Sequence, residues 1–254
     1  MSDAMRATLV ISMSLLAVGC GRKGALIYPD MLVPAAPSSV AAHQSGSSVK
    51  LQFALPSKDR AGRPMKGVAG VKISKRALDG SQQEVCRLCM TGYQLFRTVY
   101  LDHLPGDTQR FGERLILIDN DVAAGNNYSY SLVPFTAEGI DGAVSAADVR
   151  VVAPVPAPAV RIESFPTEVR LLLSSQYRGG HLLGYNVYRS TVAGTRSYQP
   201  LNKDPLKGDE YVDSALERGV RYRYTARSVF VQETGGTAES AESRELEGML
   251  KDDE

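Results

Sequence analysis

Tryptophan is absent from the 254 residues, and histidine and cysteine occur three times each. Charge of either sign is nearly cancelled: 29 Lys and Arg stand against 28 Asp and Glu, a net +1. Bulk charge therefore gives no reason to expect a nucleic-acid partner. Long apolar runs are also missing. The longest, residues 7–19, falls short of the roughly 20 residues needed to span a bilayer. After residue 20 no window has the period of a strongly amphipathic helix, although the tail from Glu239 has room to fray into one. No nucleophile motif, phosphate-binding glycine loop or metal motif is present. His43, His103 and His181 are scattered and read as loop or surface residues rather than catalytic bases. No enzyme activity, cofactor or metal is expected. What is present is an ordinary globular composition, 43% hydrophobic and 22% charged. Tyrosine outnumbers phenylalanine 12 to 6, which suits half-buried strands.

The N-terminus has a basic start at Arg6, an apolar core and small residues, ending in Leu15-Leu16-Ala17-Val18-Gly19-Cys20. Met5-Arg6 makes a more ordinary opening than Met1-Ser2-Asp3. The segment resembles the lipobox of bacterial lipoproteins, with Ala17 a less usual choice; a plain secretory signal and a short buried helix are the alternatives. The resemblance implies removal of residues 1–19, acyl chains on Cys20 and a lipid-anchored place in an oxidising, extracytoplasmic compartment. Gly21 rather than aspartate after the cysteine implies, by analogy with enteric sorting, the outer membrane of a Gram-negative bacterium. With Cys20 taken by lipid, Cys86 and Cys89 become a possible pair. A local disulfide fits an oxidising compartment; a metal site, a redox centre and free thiols stay open. Met90 stands where haem attachment needs histidine, which excludes that chemistry.

About 235 residues remain after the signal, enough for one large or two ordinary domains. Residues 31–48, rich in Pro, Ala, Ser and Gly, read as a tether. Ala153-Pro154-Val155-Pro156-Ala157-Pro158-Ala159 reads as a short, stiff linker of polyproline type. The two units it separates repeat each other. Asp119, Val122, Gly125, Tyr128 and Tyr130 recur as Asp213, Leu216, Gly219, Tyr222 and Tyr224. Upstream, 70–75 aligns with 184–189, and 49–53 with 169–173. The falling offsets place an insertion of about 20 residues in the first unit, and it holds Cys86 and Cys89. Every block alternates with period two, as in Val49, Leu51 and Phe53, the pattern of strands with one buried face. Turn signals such as Gly179-Gly180 and Asp141-Gly142 separate them. The fold class is all-β: two tandem antiparallel sandwiches of about seven strands each. The domain limits are 1–19 signal, 20–35 lipidated N-terminus and tether, 36–153 first sandwich with insertion, 154–159 linker, 160–250 second sandwich and 251–254 acidic tail.

Leu216-Glu217-Arg218-Gly219-Val220-Arg221-Tyr222-Arg223-Tyr224 resembles the loop and strand of a fibronectin type III domain, and the first unit keeps the pattern in Val122, Gly125 and Tyr128. The resemblance implies a tyrosine corner, in which the hydroxyl bonds back to the preceding loop. Gly184 to Arg189 is similar to the family's third strand. Phe53 and Leu173 stand near where the family places a tryptophan, so the core must close with smaller groups. Such modules serve spacing, display and binding. A shorter stretch, Cys20 to Pro29, is similar to the start of the small lipoprotein of the lipopolysaccharide-assembly translocon, with Ala25 in place of the usual proline.

Lys58, Arg60, Arg63 and Lys66 crowd the elongated loop between the second and third strands and read as a contact for lipid phosphates or an acidic partner, against a solvated loop as the plain alternative. The acidic stretch from Glu239 reads as a solvated strand edge and tail. Asp119 and Asp213 read as turn carboxylates that cap backbone N–H groups. The functional expectation is a non-catalytic binding or scaffolding arm of the cell envelope, with an envelope protein or surface polymer as partner. The alternative is an accessory to outer-membrane assembly that acts through its first mature residues.

Overall fold

The structure, a computed structural model, describes residues 28–65, 67–78, 91–232 and 236–252. Cys20, Lys66, Cys86 and Cys89 lie outside the described residues, as does the signal segment. No helix among the described residues is long and apolar enough to cross a membrane.

The described chain is built of strands apart from one 3-10 turn, Pro29–Met31. In the first sandwich, β1 (Ser38–Ser45), β2 (Ser48–Ala54), β5 (Thr108–Phe111) and β6 (Arg114–Asp119) form one sheet in the order β1-β2-β6-β5. The facing sheet has the order β4-β3-β7-β8, from β3 (Val68–Leu78), β4 (Gln94–Tyr100), β7 (Asn127–Thr136) and β8 (Ser145–Arg150). In the second sandwich, β9 (Ala159–Ser164), β10 (Val169–Ser174) and β12 (Glu210–Asp213) form a sheet in the order β12-β10-β9. Facing it, β11 (His181–Thr191) pairs β13 (Tyr222–Val231), which carries both β14 (Thr237–Glu239) and β15 (Leu246–Gly248) on its other side. Each unit is thus a two-sheet sandwich, and every pairing within a unit is antiparallel.

The period-two pattern places the cores. Val49, Leu51 and Phe53 on β2 and Leu115 and Leu117 on β6 pack against Val71, Ile73, Tyr128, Tyr130 and Leu132. The second core repeats this with Val169, Leu171 and Leu173 against Tyr185, Val187, Tyr222, Tyr224 and Ala226. Phe53 and Leu173 are both buried, so the missing tryptophan is made good by ordinary apolar side chains. Val122 and Leu216 pack at the edges of the two cores.

The repeated corner is built as the motif implies. The Tyr128 hydroxyl accepts the Ala123 N–H at 2.9 Å, and the Tyr222 hydroxyl accepts the Glu217 N–H at 3.2 Å. The repeated aspartates cap turns: Asp119 accepts the Asp121 N–H and Asp213 the Ala215 N–H. They also do something the sequence reading missed. Tyr130 donates to Asp119 at 2.7 Å and Tyr224 to Asp213 at 2.9 Å, while Lys75 and Arg189 neutralise the two carboxylates. Burial and the neighbouring carboxylate push both phenols well above their ordinary pKa, so they stay protonated donors.

Two expectations need correction. Residues 31–48 are not a free tether. Ser38–Ser45 is strand β1, and the preceding residues are bonded to the loop at 57–63: Ala35 N–H to the Lys58 carbonyl, Arg60 N–H to that of Val33, and Ala61 N–H to that of Met31. A Pro/Ala/Ser composition matches a linker, yet the backbone groups find strand partners. The stretch from Glu239 to residue 252 is not a helix, and it is only partly solvated: Glu247, Lys251 and Asp252 are exposed, but its start is not. It forms β14 and β15 and is held inward at Glu239, Ser240 and Ser243.

Gly70 and Gly184, equivalent in the repeat, sit at register shifts of β3 and β11. A Cβ on Gly184 would lie 2.2 Å from the Leu206 carbonyl oxygen, and its φ of +149° disfavours any other residue. Gly184→Ala is expected to lower stability by about 1–3 kcal/mol, through overlap that rigid backbone cannot relieve. Urea denaturation of the variant against the parent chain measures it. An unchanged midpoint would show that the loop at 205–206 moves freely.

Candidate functional site: the junction between the sandwiches

The two sandwiches do not merely follow one another. β1 of the first pairs with β14 of the second in parallel, Gln44 with Ala238 and Ser45 with Glu239, and the Gly46 N–H adds a bond to the Glu239 carbonyl at 3.0 Å. One sheet therefore runs through both, in the order β11-β13-β14-β1-β2-β6-β5. Two free edges of the kind natural sheets usually shield are closed against each other.

The sheet curves at this seam. β2 and β11 are four places apart in the strand order, a spacing of roughly 19 Å in a flat sheet. Yet Lys50 on β2 donates to the Tyr188 hydroxyl on β11 at 2.6 Å. The fold brings together side chains that point away from both cores. Glu239 lies at the centre, 7% exposed. It accepts from Lys50 at 2.8 Å, Ser45 at 2.6 Å, Asn186 at 2.6 Å and Tyr188. The Lys50 ammonium also sits 4.9 Å from the Tyr188 ring centre. Burial opposes the charged form of Glu239, but Lys50 and the hydrogen bonds from Lys50, Ser45 and Tyr188 outweigh it and bring its pKa down to about 2. Burial and the Glu239 charge push the Tyr188 phenol the other way, well above its ordinary value.

Gln44 seals the seam from the side of the connecting segment. Its amide donates to the carbonyls of Gly46 and Val152 and accepts from the Val152 N–H and from Gln232. All four hydrogen-bonding positions of this buried side chain are used. Three residues on, Ala241 donates to the Val155 carbonyl at 2.8 Å. The Ala/Pro linker is therefore bonded to the second sandwich at Val155, not suspended between two bodies.

A second contact lies across the sheet face. Residues 194–206 reach from β11 over the outer surface of β2, β6 and β5. Gln109 on β5 donates to the Arg196 carbonyl at 2.6 Å and accepts the Tyr198 N–H at 2.8 Å, and Tyr198 donates to the Gly106 carbonyl. Ile116 faces away from the first core but is only 2% exposed beneath this arm. Between arm and sheet lies a cleft of about 510 Å³, lined by His43, Lys50, Gln52, Arg114, Gln199 and Lys203 among others.

The residues singled out in sequence fall in different places. Lys58, Arg60 and Arg63 share the loop that clasps residues 31–35 and are not among the residues that line the cleft. Arg63 is paired with Asp59 at 2.9 Å, and Arg60 reaches the Asp30 carbonyl. His103 and His181 are exposed. His43 is on β1, half-buried in the junction; burial lowers its pKa, the Glu239 carboxylate raises it and Lys50 lowers it, with a lowered value as the net result. No group of three or more His, Cys, Asp or Glu able to hold a metal occurs among the described residues. The junction itself went unread. Its only trace in sequence is polar residues at outward positions of strands, which look like ordinary solvent-facing alternation.

Breaking a buried ion pair by removing one partner costs about 3–5 kcal/mol, while replacing both with apolar or neutral groups is nearly neutral. Lys50→Met and Glu239→Gln are each expected to destabilise the chain by that order. The double variant is expected to recover most of the loss in a thermal-denaturation cycle. Additive losses would show that the two do not act as a pair. Acid should act in the same direction. The Glu239 contribution is present above pH 4.5 and lost as pH falls toward about 2. The His43 contribution is present above pH 6.5 and lost as pH falls through its lowered folded value. Limited proteolysis at residues 153–158 across this range reports it: cleavage should rise as pH falls, and a flat profile would contradict the assignment.

No family model matches the chain. No curated protein matches it either. Among solved structures it is similar to the chicken CNTN1 FN1–FN3 domains, at 14% identity and a TM-score of 0.33, over 87% of this chain. The chain spans 66% of the length of that structure.

Proposed function

We propose that this chain is a lipoprotein of the Gram-negative cell envelope, held in the outer membrane through Cys20, and that it works by binding or scaffolding rather than by catalysis. The observation that carries this is the path of the chain into the first sandwich. Residues 31–35 are clasped by the loop at 57–63, and Tyr28 stands eight residues from Cys20. Eight residues reach at most about 29 Å. A lipid on Cys20 would keep the Lys58, Arg60 and Arg63 loop close to the headgroups. Each cation at an anionic surface adds about 1 kcal/mol, with the Arg63 share offset by its Asp59 partner. The seam between the sandwiches supports the scaffolding half of the reading. It fixes both units as one body and leaves a preformed polar cleft for an envelope protein or surface polymer. Nucleic acid has no place in this reading. A Cys86–Cys89 disulfide in the insertion belongs to it as well.

The intact mass of membrane-extracted protein tests the reading. The expected chain begins at Cys20, carries acyl chains, and weighs about 2 Da less than its reduced form if Cys86 and Cys89 are joined. Cys20→Ser should move the protein to the soluble fraction. An unacylated chain in the membrane fraction, or one that keeps residues 1–19, would overturn the anchor.

A further inference from the structure

The junction cleft carries two cations that no described residue neutralises. Its floor is the outer face of three strands in register. Gln52 lies opposite Ala41 on β1 and Ile116 on β6, His43 lies opposite Lys50, and Arg114 follows Ile116 on the same face. Its roof is the arm at 198–205, which brings Gln199 and Lys203 over that floor. Glu239 is the one acid in the lining, and it is already saturated by Lys50, Ser45, Asn186 and Tyr188. The Lys50–Glu239 pair cancels, which leaves Arg114 and Lys203. Neither has an ion pair or side-chain hydrogen bond among the described residues, and the Gln52 and Gln199 amides likewise have none. Asn202, by contrast, is spent on holding the arm: it donates to the Tyr185 and Asp204 carbonyls and accepts the Val187 N–H. The arm is thus rigidly placed while the groups it presents are free. A cleft of about 510 Å³ is the size of ordinary small-molecule sites.

We infer that this cleft binds a small anionic ligand bearing a carboxylate or phosphate group. Arg114 and Lys203 meet the charge, and the Gln52 and Gln199 amides meet neighbouring hydroxyl or carbonyl groups. A guanidinium and an ammonium on opposite walls suit an anion held between them, since charge-assisted hydrogen bonds are about twice as strong as neutral ones. The Lys50–Glu239 pair below keeps the floor and the second sandwich in fixed relation, so the two walls need no rearrangement on binding. The inference rests on reading the chain as a binding module. It is independent of the lipid on Cys20, which the mass measurement reads separately.

The full chain is titrated with citrate in one arm and inorganic phosphate in the other, at low salt, and followed by amide NMR shifts. The expected result is saturable shifts at Gln52, Arg114 and residues 198–203 with at least one probe. Citrate alone would identify a carboxylate ligand, phosphate alone a phosphorylated one. The double variant Arg114→Ala, Lys203→Ala should weaken binding about tenfold or more without moving the melting temperature, because both side chains are exposed. The control Lys58→Ala, Arg60→Ala, in the loop outside the cleft, should leave it unchanged. Absence of saturable shifts with both probes would overturn the proposal. Equal binding by the double variant and the parent chain, or equal weakening by the control, would overturn it too.

Discussion

A carboxylate removed from water must be met by several donors or it will not stay ionised. Glu239 meets that requirement only because two sandwiches close on it together. Ser45 and Lys50 come from the first, Asn186 and Tyr188 from the second, and Glu239 itself sits on β14, the strand that pairs across the seam. If the units swung apart, a charged lysine and a charged glutamate would each lose a partner. The parallel pairing of β1 with β14 is short, two residue pairs, and would be weak alone. The side-chain network is what gives the seam one register.

The other parts of the junction follow from that constraint. Gln44 spends its amide on Val152, Gly46 and Gln232, so the chain that joins the units is bonded where it leaves the first one. Gln109 holds the arm across the outer sheet face from the opposite side. Seam and arm meet at an angle, and the space between them is the cleft. The two walls of the cleft, the outer sheet face and the arm at 198–205, are parts that already hold the junction together. The same economy of parts appears inside each sandwich, where one aspartate caps a turn, accepts a buried tyrosine hydroxyl and pairs with a cation on the neighbouring sheet.

Much of the architecture was legible in the chain. The repeat of Asp119, Val122, Gly125, Tyr128 and Tyr130 as Asp213, Leu216, Gly219, Tyr222 and Tyr224 marks the two tyrosine corners, because those side chains act within a few residues of each other. Alternation in Val49, Leu51 and Phe53 marks a strand and its buried face. Where the reading failed, the determining partner was far away. Residues 38–45 look like a tether by composition, and become a strand only because β2 and β14 lie on either side. Glu239 looks like the start of an acidic tail, and its donors are 51 to 194 residues distant.

The amino-acid sequence by itself determined two β-sandwiches, their cores and their corners, since these depend on local period, turn residues and an internal repeat. Only the tertiary structure decided that the sandwiches share a sheet and that Lys50, Tyr188 and Glu239 form one buried group. It alone decided that Arg114 and Lys203 line one cleft. Outward-facing polar residues on a strand carry the same pattern whether they meet water or another module. What separates the two cases is which sheet edge docks against which, and that is settled by shape and charge across more than a hundred residues of chain.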